Sequence, residues 1–339
     1  MLNIVGKRKI FFAISSLLVL VSIIFIAIFG LKPGIDFTGG SLLEISFTSE
    51  RPSISAVQDV FADNTYGNVL VQPTEETGYL LKMRFISEEE HTVILNTLRD
   101  KFEVIKDNGL SVVTDGSDSQ LINLESTTVE SASNTSEVVD ATIVENRLIE
   151  DRVETIGPAI SSQLQKRSFE AAIAVVLAIV FYVAYAFRKV SKPVQSWKYG
   201  ITAIIALIHD VTITMGVFAI LGKFYNVEVD IPFVVAMLTI LGYSVNDTIV
   251  VFDRVRENLI KYGYEKFDEI VNKGVNETLV RSLNTSFTTL IVLFALFLFG
   301  GSTIHYFSLA LIIGIFFGTY SSIFLASPLL VVWQKISKK

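Results

Sequence analysis

Apolar residues are arranged along this chain in six long runs separated by polar stretches. The first run extends over about 20 residues from Ile10 to Phe29 and contains no charged side chain. A helix of that length crosses roughly 30 Å of hydrocarbon at about 1.5 Å per residue. The other runs lie at roughly 169–187, 199–221, 231–252, 280–299 and 306–333. The pattern predicts a membrane all-α bundle of six helices.

The first run resembles a signal sequence, because Lys7, Arg8 and Lys9 precede it. It is long, however, and no clear small-x-small cleavage site follows it. We therefore expect an uncleaved signal anchor, with a cleaved signal peptide as the alternative.

The polar stretch between the first two runs has the pattern of an α+β domain. Ser53 begins a helical spacing that extends to Ala62, and Ser87 with Glu90 forms a capping box for a helix that ends near Phe102. Strands are predicted at 42–47, 69–71, 79–85, 104–113 and 148–156. The resulting βαββαβ order indicates a small sandwich with two helices on one face of a sheet.

Two segments interrupt this domain or connect it to the membrane. Residues 115–140 are rich in Ser, Thr, Asn, Asp and Glu, which predicts a mobile surface insertion. Pro158 follows Gly157 at the first turn of a helix that continues into the second apolar run. We expect such a continuous helix to couple the domain mechanically to the membrane.

Composition and charge support this division of the chain. The sequence is 51% hydrophobic, has no cysteine and has a mean hydropathy of +0.53. Residues 32–168 hold 23 of the 34 acidic residues but only 11 of the 28 basic residues. This imbalance argues against nucleic acid as a partner. Three histidines and no cysteine also argue against a metal site.

The basic residues of the short loops predict the orientation of the chain. The loops at 222–230 and 300–305 contain only Lys223. The basic residues on the opposite side are Lys7, Arg8, Lys9, Arg188, Lys189, Lys192, Lys198, Arg254, Arg256, Lys261, Lys266, Lys273, Lys335, Lys338 and Lys339. The positive-inside rule places both termini in the cytoplasm. We expect three parts: residues 1–31 with the first helix, an extracytoplasmic domain at 32–168, and five further helices at 169–339.

Two acidic residues lie within the apolar runs, where a charge costs roughly 2.5 to 3.5 kcal/mol at the helix centre. Asp210 follows His209 near the middle of the third run, and Asp247 lies in the fourth. Helical spacing places Thr239, Tyr243, Asn246 and Asp247 on one stripe. We expect this stripe to face the bundle interior or a wet cavity.

Arg281 begins the fifth run at a depth similar to that of Asp247, so the two side chains are expected to be able to meet. Arg281, Asn284, Thr285 and Thr288 form a second polar stripe that could hydrogen-bond the first. The functional interpretation is an ion or proton path. The structural alternative is a static Asp247–Arg281 pair that fixes helix packing, with His209 and Asp210 bonded to neighbouring backbone.

Gly34, Asp36, Gly39 and Gly40 belong to a short segment between the first run and the first strand. Its glycines permit a tight backbone path. A phosphate-binding loop is disfavoured, since neither GxGxxG nor GxxxxGK[ST] is present.

In their order along the chain, these segments resemble the SecF proteins of the SecD/SecF family in the RND superfamily. The resemblance rests on Gly34–Gly40, VETIGP at 153–158, His209-Asp210, YSVNDTIVVFDRVREN at 243–258 and RSLNTSFTT at 281–289. The 115–140 insertion departs from the family's compact outer domain.

The resemblance implies a role in protein export from the bacterial inner membrane, without enzymatic activity. It implies a ferredoxin-like outer domain, a SecD-like subunit and the SecYEG channel as partners, and action on unfolded polypeptides after the SecA ATPase. Protons are the implied coupling ion and no cofactor is expected. Carried over from the family, the proton-relay residues fall on Asp247 and Arg281, supported by His209, Asp210, Tyr243, Asn246, Thr285 and Thr288.

Two other functions remain open. An RND exporter of lipid or a small molecule would act without the Sec channel, although such exporters usually carry two six-helix halves. An intramembrane aspartyl protease would use Asp210 and Asp247 as a pair sharing a proton. The protease is disfavoured, since Asp247 lacks a GxGD motif and Arg281 would oppose a protonated acid.

Overall fold

The computed structural model of the chain describes residues 1–74, 76–106, 143–186, 196–263 and 265–337. It divides into two compact units, one made of Met1–Gly39 with Pro158–Lys339 and the other of Gly40–Gly157. The predicted insertion at 115–140 lies outside the described residues. So do Arg188, Lys189, Lys192, Lys338 and Lys339, on which the predicted orientation partly rests.

The described helices of the chain are α1 (Arg8–Phe29), α2 (Ile35–Thr38), α3 (Ile54–Gln58), α4 (Glu88–Phe102), α5 (Pro158–Ala186), α6 (Ser196–Tyr225), α7 (Ile231–Tyr262), α8 (Phe267–Phe299), α9 (Ser302–Ser321) and α10 (Ser327–Ser337). A π-helical turn, Ser322–Ala326, joins the last two. The strands are β1 (Gly40–Phe47), β2 (Leu70–Thr74), β3 (Gly78–Met83), β4 (Val104–Lys106), β5 (Ile143–Asn146) and β6 (Leu148–Ile156).

Among the described residues, six helices of the first unit are long and apolar enough to cross a membrane, as predicted. They are α1, α5, α6, α7, α8 and the continuous segment Thr303–Ile336. The helices α7 and α8 extend beyond their apolar runs, and their polar ends pack together. There Glu277 accepts hydrogen bonds from Arg254 and Asn258, both at 2.7 Å.

Small residues let these helices approach closely. A Cβ added to Gly216 of α6 would lie 2.4 Å from the Cβ of Ser22 on α1. A Cβ added to Gly314 of α9 would lie 2.1 Å from the side chain of Ile240 on α7. Membrane helices gain packing energy in this way, because lipid supplies no hydrophobic force between them.

The second unit is built on a four-stranded antiparallel sheet in the order β2-β3-β1-β6. Alternate residues of the central strands, among them Leu43, Ile45 and Leu81, are fully buried. They form one core with Val57 of α3 and Leu98 of α4. Both helices therefore cover the same face of the sheet, and the strands β4 and β5 form a separate two-stranded ladder.

The helices of this unit begin at the predicted residues, but one of them is shorter than predicted. Ser87 and Glu90 form the predicted capping box at the start of α4. The helix predicted from Ser53 is shorter than expected, because the backbone tightens into a 3₁₀ turn at Asp59–Phe61. Of the strand predicted at 104–113, only β4 falls within the described residues.

Candidate functional site

Asp210 of α6 lies fully buried at a junction of three helices. Its Oδ2 accepts hydrogen bonds from Ser244 of α7 at 2.6 Å and from Ser321 of α9 at 2.8 Å. Its Oδ1 lies 2.8 Å from Nδ1 of His209, whose ring stacks on Tyr320. Both carboxyl oxygens thus have partners, and these partners connect α6 to α7 and α9.

Asp247 of α7 has a different environment. Ser282 of α8 donates a 2.5 Å hydrogen bond to its Oδ1. Its Oδ2 is buried and has no hydrogen-bond partner among the described residues. A buried oxygen without a partner is costly as a carboxylate, whereas a protonated carboxyl group has one fewer acceptor site to satisfy. Of the two acids, Asp247 is therefore the one whose carboxyl group has an oxygen without a hydrogen-bond partner in the described structure.

Hydroxyl groups connect α7 and α8 to the last span beside these acids. The hydroxyl oxygens of Ser286 on α8 and Thr319 on α9 lie 2.5 Å apart. Thr248 of α7 lies 2.9 Å from Ser322, the first residue of the π-helical turn. The Ser327 hydroxyl donates to the carbonyl oxygen of Ser322 at 3.0 Å, so this carbonyl group of the turn has a hydrogen-bond partner. Single-turn π bulges of this kind often occur at functional sites.

Arg281 does not pair with Asp247 in this structure, so the expected meeting of the two side chains is not observed. No ion pair or hydrogen bond joins them within the described ranges. The reason is helical geometry: neighbouring residues point about 100° apart, and the next residue, Ser282, occupies the position that faces Asp247. Arg281 instead lines a cavity of about 540 Å³ with Asp253, Arg254, Glu257 and Glu277.

The two predicted polar stripes do not bond to each other through the expected residues. Thr285 and Thr288 are exposed and donate to carbonyl oxygens of their own helix at 2.9–3.0 Å. Thr239 and Asn246 are also exposed, which corrects the expectation that their stripe lies wholly inside the bundle. Tyr243 is half-buried and reaches Ser286 and Thr289 at 3.5 and 3.4 Å. The α7–α8 pair therefore presents a polar face on the outside of this chain.

The segment from Gly34 to Gly40 anchors the helix that carries Asp247. Asp36 accepts a 2.8 Å hydrogen bond from the backbone N–H of Ile231, the first residue of α7. Gly34 donates to the carbonyl oxygen of Val229 at 2.8 Å. Gly39 and Gly40 have φ angles of +73° and +139°, which explains the need for glycine at both positions. The predicted tight turn is thus also a helix cap.

The chain matches the models of two protein families. Residues 136–336 match the family "Protein export membrane protein SecD/SecF, C-terminal", and residues 24–50 match "SecD/SecF GG Motif". The chain belongs to the SecD/SecF family.

Curated members of this family are similar over almost their whole length. The chain is 40% identical to the protein translocase subunit SecF of Thermobaculum terrenum, covering 98% of this chain and 94% of that protein. It is 34% identical to the SecF of Anaerolinea thermophila with the same coverage of both chains. Family membership and the six helices identify a multi-pass membrane protein.

A solved structure supports the same relationship. The crystal structure of SecDF, a translocon-associated membrane protein from Thermus thermophilus, matches with a TM-score of 0.75 and 27% identity. The match covers 98% of this chain but only 39% of the SecDF chain. A second SecDF structure, in a super-membrane-facing form, matches with a TM-score of 0.62 and 29% identity. The SecF-like chain therefore corresponds to a part of a longer SecDF architecture.

Sequence reasoning missed the hydroxyl partners of the intramembrane acids in this SecD/SecF-family chain. Ser244, Ser282, Ser321 and Ser322 were not predicted as site residues. A signal was available in the last apolar run, which reads GTYSSIFLASP at 318–328 and is unusually rich in hydroxyl residues. In a membrane span, such hydroxyls commonly bond across helices.

Proposed function

We propose that this chain is a SecF-like subunit of an accessory complex of the Sec machinery. In this role it resides in the bacterial inner membrane with both termini in the cytoplasm. It uses the proton gradient to promote export of unfolded polypeptides through a SecYEG channel, after SecA has acted. The domain at 32–168 lies outside the cytoplasm and is of ferredoxin-like type, an interpretation that the β2-β3-β1-β6 order supports. It is a transport protein without catalytic activity.

The observation that carries the proposal is the asymmetry between Asp210 and Asp247. The carboxyl group of Asp210 is fully hydrogen-bonded, which suits a structural role. Asp247 is also buried but has an oxygen without a partner among the described residues. Intramembrane acids in such positions commonly belong to ion or proton paths.

Arg281 supplies the second state of the proposed relay. Burial favours a neutral carboxyl group, whereas a nearby guanidinium favours the carboxylate. A rotation of α8 that exchanges Ser282 for Arg281 at the Asp247 position would therefore release the proton. Arg281 lines a cavity with several charged side chains, and this polar wall favours water at the depth of Arg281.

The membrane potential can drive such a change. Each charge that moves through the membrane gains roughly 2.3 kcal/mol per 100 mV. That amount is enough to bias an element whose two states differ by a few kcal/mol.

A SecD-like partner is supported by the polar face of α7 and α8. Asn246, Arg281, Thr285 and Thr288 are exposed in the isolated chain although they belong to helices long enough to span the membrane. Polar side chains are expensive against lipid hydrocarbon, so a protein partner suits this face. The chain covers only 39% of the related SecDF chain, which agrees with a partner subunit that corresponds to the rest of that chain.

The outer domain is proposed to grip unfolded polypeptide transiently and to transmit its motion through α5. The helix α5 begins at Pro158, directly after β6 and Gly157, and continues without interruption to Ala186. A helix without a break is a suitable mechanical link.

The deciding experiment is late-stage translocation into vesicles with and without an imposed proton gradient. Asp247→Asn preserves size but cannot titrate, so the variant should assemble and lose the gradient-dependent stimulation. Glu269→Gln is the control, because Glu269 is an exposed acid on the adjacent helix α8 and does not line the cavity of Arg281. Arg281→Lys should be impaired more mildly than Arg281→Ala. At matched amounts of complex, a normal gradient response of Asp247→Asn would show that Asp247 is not the relay.

A further inference from the structure

An apolar cleft of about 510 Å³ separates α5 from α6 and α7. Its wall includes Phe169, Ala172 and Val176 of α5, Ile208 and Met215 of α6, and Met237 of α7. All of these residues belong to membrane-spanning helices of one compact unit. The polar residues in the wall are limited to Ser168 and Thr212.

The cleft opens on the outside of the bundle. Phe169 is 70% exposed and Ile208 is 59% exposed, although both face the cleft. The helix α5 as a whole is weakly packed, since Ser161 and Val183 are its buried residues. Its contact with α6 and α7 is therefore incomplete along the cleft.

A basic residue precedes the cleft wall on α5, at the end of the cleft nearest the turn between α6 and α7. Lys166 of α5 is exposed, lies two residues before Ser168, and forms no ion pair with any residue in the described part of the chain. The neighbouring Arg167 is paired with Glu170 at 3.3 Å. Asp36 and Asp230, which lie at the same end, use their carboxyl oxygens to cap α7. Lys166, together with Lys32 beside the wall residue Leu31, provides positive charge at this end of the cleft.

We propose that the cleft holds one acyl chain of a membrane phospholipid, with the lipid phosphate near Lys166. The apolar wall lies within the membrane, where acyl chains are the surrounding solvent. Filling the cleft restores dispersion contacts that its lining residues otherwise lack. A basic side chain beside the opening favours an anionic headgroup by charge complementarity.

The bound lipid completes the packing of α5. This helix follows directly from β6, so a lipid that supports its inward face would hold the outer end of the helix against α6 and α7. This lipid site does not depend on the proposed proton relay, because it uses neither Asp247 nor Arg281.

The test uses the full chain in its complex, reconstituted with phosphatidylglycerol that carries a photoreactive diazirine on one acyl chain. Adducts mapped by mass spectrometry should concentrate on the lining segments of α5, α6 and α7. Ala172→Phe fills the cleft and should abolish these adducts. Ala174→Phe is the matched control, because Ala174 is exposed on the same helix and does not line the cleft.

A second measurement covers the case in which Ala172→Phe fails to fold. The chain has no cysteine, so Thr212→Cys provides a single thiol in the wall. Its reaction with N-ethylmaleimide should be slow in lipid vesicles and accelerate after the complex is delipidated. Equal rates in both conditions would contradict an acyl chain in the cleft.

The headgroup is tested by Lys166→Ala, with Lys223→Ala as a matched exposed control. Lys166→Ala should reduce labelling by phosphatidylglycerol more than labelling by phosphatidylcholine, because the choline cation offsets the negative charge of the phosphate. An unchanged preference for phosphatidylglycerol would show that Lys166 does not bind the anionic headgroup. Adducts spread evenly over all exposed helix faces, or cross-links from this cleft to a partner protein in place of lipid, would overturn the proposal.

Discussion

Asp36 accepts a 2.8 Å hydrogen bond from the backbone N–H of Ile231, which lies 195 residues further along the chain. The contact connects the short helix α2, which follows the first span, to the start of the helix that carries Asp247. A carboxylate at a helix N-terminus satisfies a free N–H group and interacts favourably with the helix dipole. The glycine-rich segment therefore helps to fix the position of α7.

Asp36→Ala should loosen the first turn of α7 at a cost of about 1 kcal/mol, since the cap is lost. Hydrogen exchange followed by mass spectrometry should show faster exchange at Ile231. Asp36→Asn keeps an acceptor oxygen and should stay close to the parent. Unchanged exchange in Asp36→Ala would mean that Asp230, which caps Phe233, is sufficient alone.

Ser282→Ala removes the donor to Asp247 and leaves the buried carboxyl group without a hydrogen bond in the described structure. The expected loss of stability is about 1–3 kcal/mol. Thermal unfolding of the purified chain in detergent measures it. Thr285→Ala is the control, because Thr285 is exposed on the same helix and bonds only to the carbonyl oxygen of Arg281. Equal melting temperatures for both variants would indicate that the Ser282 contact is unimportant.

Gly216→Ala should separate α1 from α6, since the added Cβ would lie 2.7 Å from the backbone Cα of Ser22. Overpacking of this kind costs about 1–3 kcal/mol. Gly242→Ala on α7 has no atom within 4 Å of the added Cβ and serves as the control. The steady-state abundance and melting temperature should fall for Gly216→Ala alone. An unchanged abundance and melting temperature of Gly216→Ala would show that α1 and α6 can move apart without a loss of stability.

Glu90 makes part of the outer unit sensitive to acid. The Arg84 guanidinium donates to Glu90 at 2.5 and 3.2 Å and, with the Ser87 N–H, lowers the pKa of that carboxyl group. A lowered pKa in the folded state means that the contribution to stability is present at neutral pH. It is lost as the pH falls through that lowered pKa.

The corresponding prediction is that α4 loses protection in acid and that Glu90→Gln removes most of this dependence. Amide exchange in α4, corrected for the intrinsic effect of pH, measures the change in the full chain. Glu88→Gln is a suitable control, because Glu88 is exposed in the same helical turn and its replacement leaves the Arg84–Glu90 ion pair in place. If Glu90→Gln and the parent lose protection equally, another group is responsible.

The sequence alone determined the elements and much of their order. Six apolar runs predict six spans, because a backbone in lipid must satisfy its hydrogen bonds within a helix. The capping box at Ser87 and the proline at the start of α5 marked two helix starts correctly, because both effects depend on nearby residues. The two intramembrane acids were also visible, since charge is rare in an apolar run.

Only the tertiary structure decided which partners those acids have. Arg281 and Ser282 are adjacent, so the sequence places both at nearly the same depth. Which one faces Asp247 depends on the rotation of α8 about its axis. That rotation is set by packing across several helices. For example, Gly274 of α8 lies close to Val255 of α7, and Ser286 of α8 is hydrogen-bonded to Thr319 of α9. Such contacts join residues far apart in the chain, and no local pattern specifies them.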